Sequence, residues 1–358
     1  MSHSKNILHI LLALPLAGLL WLVVNVRHLL YAWKIFKQHE FKTPVICVGN
    51  LAVGGTGKTP HVQMLLQLLS EQGVKVAVLS RGYKRKSKGF LYVETESMAA
   101  KVGDEPLQIK RRFPNVAVAV CKNRFYAIQR MKKEVAGLQA VILDDAFQYR
   151  RVKAGLSMVL TTFDNLVTKD YMLPLGRLRD SANQLSRAEM VIVTKCPHNL
   201  RPIDFNILEK DLKIRPYQHL YFTTYECGEY VHLSTGEAKK PETKSVIALA
   251  GIAHPKPFFK NLEKDFTLVQ SITFPDHHHF GKRDVGRLQK ALAAHPGSAI
   301  ITTEKDAMRL AHTPMSSELR SAIYYHPINV EFLNNGKESF AKNTLSYVRE
   351  NKRISHLY

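Results

Sequence analysis

The chain has 358 residues, 45% of them hydrophobic, and a formal net charge of +21. This composition excludes a disordered chain and is sufficient for two compact domains with an additional segment. The positive charge favours polyanionic partners, either nucleic acid or an anionic membrane surface. Four widely spaced cysteines, without a C-x-x-C pair, predict reduced thiols and a cytosolic body: Cys47, Cys121, Cys196 and Cys227.

An apolar segment at residues 7–26 comes first in the chain, with only His9 and Asn25 as polar residues. A helix of this length spans about 30 Å, the thickness of the hydrocarbon core of a bilayer. The segment continues into bulky residues rather than into a small-residue cleavage site, which favours an uncleaved membrane anchor. A buried helix of a soluble domain is the alternative, and the sequence leaves open whether an anchor crosses the bilayer or lies in its surface.

Basic residues are concentrated on the C-terminal side of this segment. Lys5 precedes it, whereas four basic residues follow it: Arg27, Lys34, Lys37 and Lys42. By the positive-inside rule, this asymmetry places the body of the protein on the cytoplasmic side of the membrane.

A glycine-rich loop between a predicted strand and a predicted helix is the strongest signal of chemistry in the chain. Residues 48–60 read V-G-N-L-A-V-G-G-T-G-K-T-P. Successive backbone N–H groups of such a loop bind phosphate oxygens, and the helix that follows adds the positive end of its dipole. Lys58 then reaches the outer phosphates and the Thr59 hydroxyl holds Mg²⁺. The general motif has a glycine where this chain has Ala52, but the pattern still predicts nucleoside triphosphate binding.

Short β-branched segments alternate with helical patterns after residue 43. Five of them are predicted to be buried parallel strands, at 74–79, 116–120, 140–143, 158–161 and 190–194. Helices are predicted between several of these strands, for example at 122–136. This alternation predicts a doubly wound α/β sheet with ligands at the carboxyl ends of its strands.

Two adjacent carboxylates, Asp144 and Asp145, end one of these strands. P-loop proteins hold Mg²⁺ with an aspartate at such a strand end. Neighbouring aspartates repel each other without a cation, so a metal site is favoured over an ordinary acidic loop. A second pair, Asp104 and Glu105, is by itself more typical of a helix start than of a site. Arg81 follows another predicted strand and is either a phosphate ligand or an ordinary loop residue.

The pattern changes near residues 221–244, where alternating, glycine-containing sequence predicts a connecting ribbon. A second α/β pattern follows. Strands are predicted at 245–250, 298–302 and 322–325, and a helix is predicted at 257–266.

Three consecutive histidines lie in this second half, within the segment F-P-D-H-H-H-F at 274–280. They cannot all bind one ion in an extended segment, because neighbouring side chains there point to opposite faces. Two interpretations remain open: an exposed histidine run, or a histidine that reaches a cleft and tunes a carboxylate base.

Taken together, these segments resemble the tetraacyldisaccharide 4′-kinases, the lipid A 4′-kinases of bacteria that have an outer membrane. The resemblance covers about residues 44 to 310, and its motifs occur in the order of the family. They are V-G-N…G-G-T-G-K-T-P at 48–60, S-R-G-Y at 80–83, V-G-D-E-P at 102–106, V-C-K-N-R at 120–124, I-L-D-D-A-F-Q at 142–148, L-P-L-G-R-L-R at 173–179, R-A-E at 187–189, A-G-I at 250–252, D-H-H at 276–278 and T-T-E-K-D at 302–306. One motif departs from the family, which favours P-L-R-E-P, because Asp180 stands here in the place of the glutamate.

The resemblance implies a P-loop NTPase-like α/β/α domain, a smaller α/β/α domain, a β-ribbon that joins them and an N-terminal membrane helix. We expect a membrane-anchoring segment at 1–40, the P-loop kinase domain at 41–222, the ribbon at 223–244 and the C-terminal α/β domain at 245–358. The implied reaction transfers the γ-phosphoryl group of ATP, with Mg²⁺, to the 4′-hydroxyl of an acylated glucosamine disaccharide 1-phosphate. The implied location is the cytoplasmic face of the inner membrane.

The resemblance also implies roles for individual residues. Asp104 accepts the proton of the attacking hydroxyl with His277 as its partner, and the choice of His277 over His278 rests on the family's Asp-His step. The residues expected to bind ATP are Ala52, Val53, Gly54, Gly55, Thr56, Gly57, Lys58 and Thr59, with Lys58 also stabilising the transferred group. The expected Mg²⁺ ligands are Thr59, Asp144, Asp145 and Glu105, and the expected substrate-binding residues are Asn50, Arg81, Arg124 and Gln148.

The expected partners are the lipid A disaccharide 1-phosphate and inner-membrane lipids, without nucleic acid and without an obligate protein partner. A membrane-tethered P-loop ATPase switch is the main alternative. It shares the loop and the anchor but does not account for Asp104, the histidines or the second domain. A nucleic-acid-binding NTPase would account for the charge, but the sequence contains no recognisable nucleic-acid-binding module.

Overall fold

The structure, a computed structural model, describes residues 7–276 and 278–356, with side chains for residues 12–276 and 278–350. The strands of this part of the chain are β1 (Val45–Asn50), β2 (Val76–Ser80), β3 (Leu91–Tyr92), β4 (Ala117–Val120), β5 (Ala140–Asp144), β6 (Leu156–Thr162), β7 (Met190–Thr194), β8 (His219–Cys227), β9 (Val231–His232), β10 (Ser245–Ala250), β11 (Thr267–Thr273), β12 (Ala299–Thr303), β13 (Ile323–His326) and β14 (Ile328–Phe332). The helices are α1 (Ile7–Ala32), α2 (Lys58–Glu71), α3 (Ala99–Val102), α4 (Asp104–Arg112), α5 (Arg124–Glu134), α6 (Pro202–Leu212), α7 (Lys256–Leu262), α8 (Lys282–Ala294), α9 (Glu304–Leu310), α10 (Ser317–Ser321) and α11 (Gly336–His356). Short 3₁₀ turns lie at Val167–Lys169 and Ala182–Arg187.

The first sheet has the strand order β14-β8-β7-β6-β1-β5-β2-β4-β3. The strands from β8 to β4 run parallel, and the edge strands β14 and β3 run antiparallel to their neighbours. Its central strands are buried on both faces because hydrophobic layers cover both sides. In β1, Ile46 joins the layer that contains Leu65 of α2, while Cys47 joins the opposite layer with Ile128 of α5. The predicted doubly wound α/β sheet is confirmed.

The second sheet is smaller, with the order β11-β10-β12-β13-β9. The strands from β11 to β13 are parallel, and β9 pairs antiparallel with β13. Hydrophobic clusters lie on its two faces, one with Leu288 of α8 and one with Leu262 of α7. This second α/β lobe agrees with the pattern that begins at residue 245 of the sequence.

The two lobes are joined by an antiparallel ribbon of β8 and β14, in register from Cys227 opposite Ile328 to Thr223 opposite Phe332. After β14 the chain stays with the first lobe. The hydroxyl of Tyr347 in α11 donates to the carbonyl oxygen of Val45 and lies 3.2 Å from it. The second lobe is therefore inserted between two strands of the first sheet.

This return crosses the domain boundaries expected from the sequence. The segment expected as a ribbon, 223–244, contributes only its first strand residues to the ribbon, because β9 belongs to the second sheet. The segment expected as one C-terminal domain, 245–358, likewise ends in a strand and a helix of the first lobe. Hydrogen bonding to β8 decides where β14 lies, and a local pattern does not contain that information.

Helix α1 begins the described chain, and its Leu12–Ala32 portion is long and apolar enough to cross a membrane. Only 22% of the most apolar 18-residue stretch of this portion is buried against the rest of the protein. Its last turns dock on the first lobe. The Arg27 guanidinium donates to the carbonyl oxygen of Gln148 at 2.6 Å, and His28 Nε2 lies 2.7 Å from Asp180 Oδ1. The docked end fixes the helix to the first lobe, while most of its apolar surface stays uncovered.

Candidate active site

The glycine-rich loop connects β1 to α2 at the centre of the first sheet. Gly54 and Gly57 have positive φ angles of 110° and 88°, a conformation that glycine adopts without strain. The loop is held from one side by a short backbone pairing: Val53 N–H donates to the Arg177 carbonyl at 2.8 Å, and Arg179 N–H donates to the Leu51 carbonyl at 2.9 Å. The loop therefore has a fixed shape, with its N–H groups near the N-terminus of a 14-residue helix.

Asn50, the last residue of β1, is fully buried and supports this loop from below. Its side-chain nitrogen donates to the Thr56 hydroxyl at 2.8 Å, and its side-chain oxygen accepts from Arg179 at 2.6 Å. Gln148 donates its side-chain amide to the Asn50 carbonyl oxygen at 2.6 Å. Asn50 and Gln148 were expected to bind substrate. In the structure, the side chains of both make hydrogen bonds that support the loop.

Asp145 lies beside the loop, within reach of two cations. Lys58 Nζ is 3.8 Å from its Oδ1, and the Arg179 guanidinium contacts both of its oxygens. Burial acts to raise the pKa of Asp145, but Lys58 and Arg179 outweigh it and hold the pKa below its ordinary value. Its φ angle of 48° is unusual for a residue with a side chain, as is often found at functional sites.

Asp144, at the end of β5, is fully buried, and one of its oxygens is orphaned. Oδ2 accepts a hydrogen bond from Ser80 at 2.9 Å, whereas Oδ1 has no hydrogen-bond partner among the residues that the structure describes. Burial, and then the nearby charges of Glu105 and Asp145, raise the pKa of Asp144 to about 7. Three carboxylates grouped around an orphaned oxygen are stable as anions only with a cation between them.

These oxygens are the ligand type that Mg²⁺ prefers. Thr59, in the first turn of α2, is buried beside the loop and could add its hydroxyl. The residues present therefore fit the magnesium site expected from the sequence.

Asp104 begins α4, and its carboxylate is bound by an arginine of the second lobe. Arg309 of α9 donates through Nε and Nη2 to Asp104 Oδ2, at 2.9 and 2.5 Å. Arg309 also donates to Asp306 Oδ1 at 2.9 Å, so it is fixed within its own lobe. A second contact between the same helices joins Gln108 Nε2 to Glu304 Oε2 at 2.7 Å. The expected base therefore lies where the two lobes meet.

Arg124 and Arg81 lie near each other on the Asp145 side of the site. Arg124 is buried and donates to the Asp145 carbonyl oxygen at 3.4 Å, and its guanidinium lies over the ring of Tyr149. Burial, and then the charge of Arg81, lower the pKa of Arg124 below its ordinary value. Arg81 is exposed. Two cations this close to each other are suited to an anionic group of a substrate.

The histidine segment lies between β11 and α8. His277, the expected partner of Asp104, lies outside the described residues. His278 Nε2 is 3.0 Å from Asp284 Oδ2, and its ring stacks on Phe274. Asp276 pairs with Lys305 at 3.1 Å. The structure thus places His278 in contacts with its own lobe.

Three residues of the site had no role in the sequence analysis: Ser80, Arg179 and Arg309. Ser80 and Arg179 lie inside motifs of the family resemblance, so their positions were marked although their contacts were not. Arg309 follows the T-T-E-K-D motif at helical spacing from Asp306, which places both on one face of α9. Its contact with Asp104 depends on how the lobes meet, which the local sequence does not encode.

Comparison with known proteins decides the family. The model of the tetraacyldisaccharide-1-P 4′-kinase (LpxK) family matches residues 8–347. The chain belongs to this family. It is 41% identical over 357 residues to a tetraacyldisaccharide 4′-kinase of Bacteroides thetaiotaomicron, covering 95% of this chain and 94% of that protein. It is 43% identical over 343 residues to the protein of the same name from Phocaeicola vulgatus, covering 93% of each.

The fold of the family has been solved in a related member. A crystal structure of LpxK from Aquifex aeolicus in complex with ATP superposes with a TM-score of 0.76 and 26% sequence identity. The match covers 94% of this chain and 98% of that chain, so both lobes are included. The family resemblance and the kinase assignment made from the sequence motifs are confirmed.

Proposed function

We propose that this kinase transfers the γ-phosphoryl group of ATP to the 4′-hydroxyl of an acylated glucosamine disaccharide 1-phosphate in lipid A biosynthesis. One observation carries the proposal beyond family membership. The orphaned oxygen of buried Asp144 lies beside a glycine-rich loop whose Lys58 pairs with the neighbouring Asp145. This arrangement matches the needs of a magnesium-bound triphosphate.

The residues of the loop divide the binding of ATP between them. Lys58 and the loop N–H groups bind the phosphates, and Thr59, Asp144, Asp145 and Glu105 hold Mg²⁺. The ion supplies charge neutralisation on the phosphate oxygens. Phosphoryl transfer depends mainly on alignment and charge, which a loop held by residues 177–179 and by Asn50 provides without reorganisation. Arg179 keeps Asp145 oriented through contacts with both of its oxygens.

Asp104 is the general base of the proposal. Its carboxylate accepts the proton of the 4′-hydroxyl, and Arg309 orients it by two hydrogen bonds from the opposite lobe. His277 is its proposed partner in this step. Arg81 and Arg124 bind an anionic group of the lipid substrate. A substrate bound between the lobes therefore presents its 4′-hydroxyl both to the carboxylate of Asp104 and to the γ-phosphate held by the glycine-rich loop.

Helix α1 gives the enzyme access to a substrate that stays in the membrane. Leu16, Leu19 and Leu22 are each more than half exposed along it. The helix inserts these side chains into the inner membrane, and the two lobes stand on the cytoplasmic face, where ATP is available. The acyl chains remain in the lipid while the sugar reaches the site. Neither a nucleic acid nor an obligate protein partner is required.

The test is direct transfer. The purified protein is incubated in detergent with γ-labelled ATP, Mg²⁺ and a lipid A disaccharide 1-phosphate, and the products are separated by chromatography. We expect a labelled bisphosphorylated glycolipid, much less product from a disaccharide without the 1-phosphate, and none with the Lys58→Ala variant. ATP hydrolysis without labelled glycolipid would instead indicate a membrane-tethered ATPase switch.

A further inference from the structure

One tyrosine of the ribbon has a hydroxyl group without an evident function. Tyr225 lies on β8, and its hydroxyl oxygen is buried and has no hydrogen-bond partner among the described residues. Burial raises the pKa of this hydroxyl above its ordinary value, so the group carries its proton at neutral pH. A buried donor without an acceptor is costly and is rare in proteins. Such a group in a binding site marks the position of a missing acceptor.

The hydroxyl lies directly against the end of the phosphate-binding loop. A Cβ atom added to Gly57 would be 1.7 Å from Tyr225 Oη. Gly57 is the last loop residue, precedes Lys58 and caps the N-terminus of α2. Two features therefore require glycine at this position: the positive φ angle of 88°, and the tyrosine hydroxyl that occupies the space of a Cβ atom.

A second contact from the same strand fixes this position. Thr223 lies two residues before Tyr225 on the same face of β8, and its Oγ1 is 3.0 Å from His61 Nε2. His61 Nδ1 is 2.8 Å from the carbonyl oxygen of Gly57. A carbonyl only accepts, so Nδ1 carries the proton and Nε2 accepts from the Thr223 hydroxyl. These contacts tie the ribbon to the loop end two residues before the tyrosine.

We propose that Tyr225 is a nucleotide-binding residue whose hydroxyl donates a hydrogen bond to a phosphate oxygen of ATP. The inference rests on the proposed function, in that it takes ATP as the ligand of the loop. The acceptor is a phosphate oxygen, because the hydroxyl adjoins Gly57 and Lys58 at the positive end of α2. The contact comes from the strand that leads into the second lobe, so bound ATP is linked to the segment that connects the lobes.

The test compares Tyr225→Phe with a matched tyrosine of the same strand. Tyr221 lies on the same strand and is buried, but its hydroxyl accepts a hydrogen bond from Asn343 at 2.9 Å. Calorimetry measures the Kd of ATP and of tripolyphosphate, both with Mg²⁺ and without lipid. Thermal unfolding measures the Tm of each ligand-free protein.

We expect Tyr225→Phe to raise the Kd of ATP and of tripolyphosphate about tenfold, the usual effect of losing a hydrogen bond to a charged group. Its ligand-free Tm should be unchanged or higher, because the substitution removes an unsatisfied buried hydroxyl. Tyr221→Phe should do the opposite: it lowers the Tm by leaving Asn343 without its acceptor, and it leaves both Kd values unchanged. If Tyr225 had only a structural role, Tyr225→Phe would lower the Tm as Tyr221→Phe does, and the two variants would not differ in this way.

Three outcomes would overturn the assignment. They are an unchanged Kd in Tyr225→Phe, a raised Kd for ATP but not for tripolyphosphate, and a lowered Tm that accompanies the loss of affinity. The proposed function is tested by a different measurement, so its failure can be distinguished from that of the tyrosine contact. If the wild-type protein binds ATP but labels no glycolipid, the reaction is refuted while the tyrosine contact stands, and an unchanged Kd in an active kinase removes only the tyrosine contact.

Discussion

Arg309 shows how much of this site depends on single side chains. It contacts Asp104 across the lobe boundary, and it is held in its own lobe by Asp306 and by the carbonyl oxygen of Gly251, at 2.9 and 3.4 Å. The carboxylate that is proposed to accept a proton is therefore positioned by the lobe opposite to its own helix. Removing this carboxylate should affect the rate of phosphoryl transfer more than the binding of the nucleotide.

For Asp104→Asn we expect turnover to fall by about 10³-fold, because the amide keeps the shape but cannot act as a base. The Kd of ATP should stay within about twofold of the wild type. Steady-state transfer to the disaccharide and calorimetric ATP binding measure the two quantities. Asp211→Asn, which alters an exposed pair with Lys169, is the control and should change neither. Near wild-type turnover in Asp104→Asn would exclude the base role.

His61 gives a prediction for acid stability. It is fully buried between Gly57 and Thr223, and burial lowers its pKa to about 4, against 6.5 when it is free in solution. At a pH above the pKa of the unfolded state, the imidazole is neutral in both states and its lowered pKa does not change the stability of the fold. Below that value the unfolded chain binds the proton more readily, so stability is lost as the pH falls from 6.5 towards 4.

The difference corresponds to roughly 3 kcal/mol of unfolding free energy, lost across this window. His61→Asn keeps a donor near the Gly57 carbonyl but does not titrate. Urea unfolding of both proteins at pH 7 and pH 4.5 isolates the contribution, since all other groups titrate equally in both. The wild type should lose more stability than the variant, and equal losses would show that His61 does not contribute.

The residues that the sequence identified and those it missed differ in a physical way. Lys58 and Thr59 come after β1, and Asp144 ends β5. The carboxyl ends of parallel strands lie at one edge of the sheet, so the meeting of these residues could be predicted. Tyr225 lies where β8 extends beyond its parallel pairing with β7 into the ribbon, and Arg309 comes from the second lobe. Their contacts depend on the ribbon and on lobe packing, for which no local pattern exists.

At the scale of elements, helix α1 separates two tasks along its length. Its last turn is docked by His28, which lies between Asp180 and Arg150 Nη1, at 2.7 and 2.9 Å. Asp180 takes the place of the family's glutamate, and its side chain is buried in this contact. The preceding turns present leucines to the outside. The two tasks can therefore be changed independently.

Leu16→Asn combined with Leu19→Asn should weaken partitioning into lipid vesicles at least tenfold, because two buried leucine side chains contribute several kcal/mol in the membrane. The Tm in detergent should not change, since both side chains are more than half exposed. Vesicle flotation and thermal unfolding measure the two effects.

His28→Ala is the matched variant and should behave in the opposite way. It leaves the buried carboxylate of Asp180 without its imidazole partner, which should lower the Tm by several degrees. Partitioning should be retained because the apolar face is intact. If both variants changed the same property, the division of the helix into two tasks would be wrong.

Element prediction succeeded where burial dictates sequence. Strands β10 and β7 coincide with the predicted segments 245–250 and 190–194, because both are continuous apolar runs between two covered faces. Strand β14 was not predicted. Its residues are mostly exposed or half-exposed, and its place comes from hydrogen bonds to β8.

At the scale of the whole molecule, the charge of +21 acts over longer distances than any one contact. We expect binding to anionic vesicles to weaken at least tenfold between 50 and 500 mM salt, because screening removes the attraction of exposed basic residues. Binding to zwitterionic vesicles, which depends on the apolar helix, should vary little. Sedimentation with both vesicle types provides the comparison, and equal salt dependence would show that the charge has no part in membrane attachment.

The insertion of one lobe within the other constrains how the protein is made. Residues of β14 leave the ribosome only after the entire second lobe has been synthesised, yet they form an edge of the nucleotide-binding sheet. During translation one edge of β8 therefore stays unpaired until the inserted lobe has been synthesised and β14 follows it. A nascent chain stalled before residue 328 should expose the unpaired edge to chaperones, and elongation through Phe332 should close it.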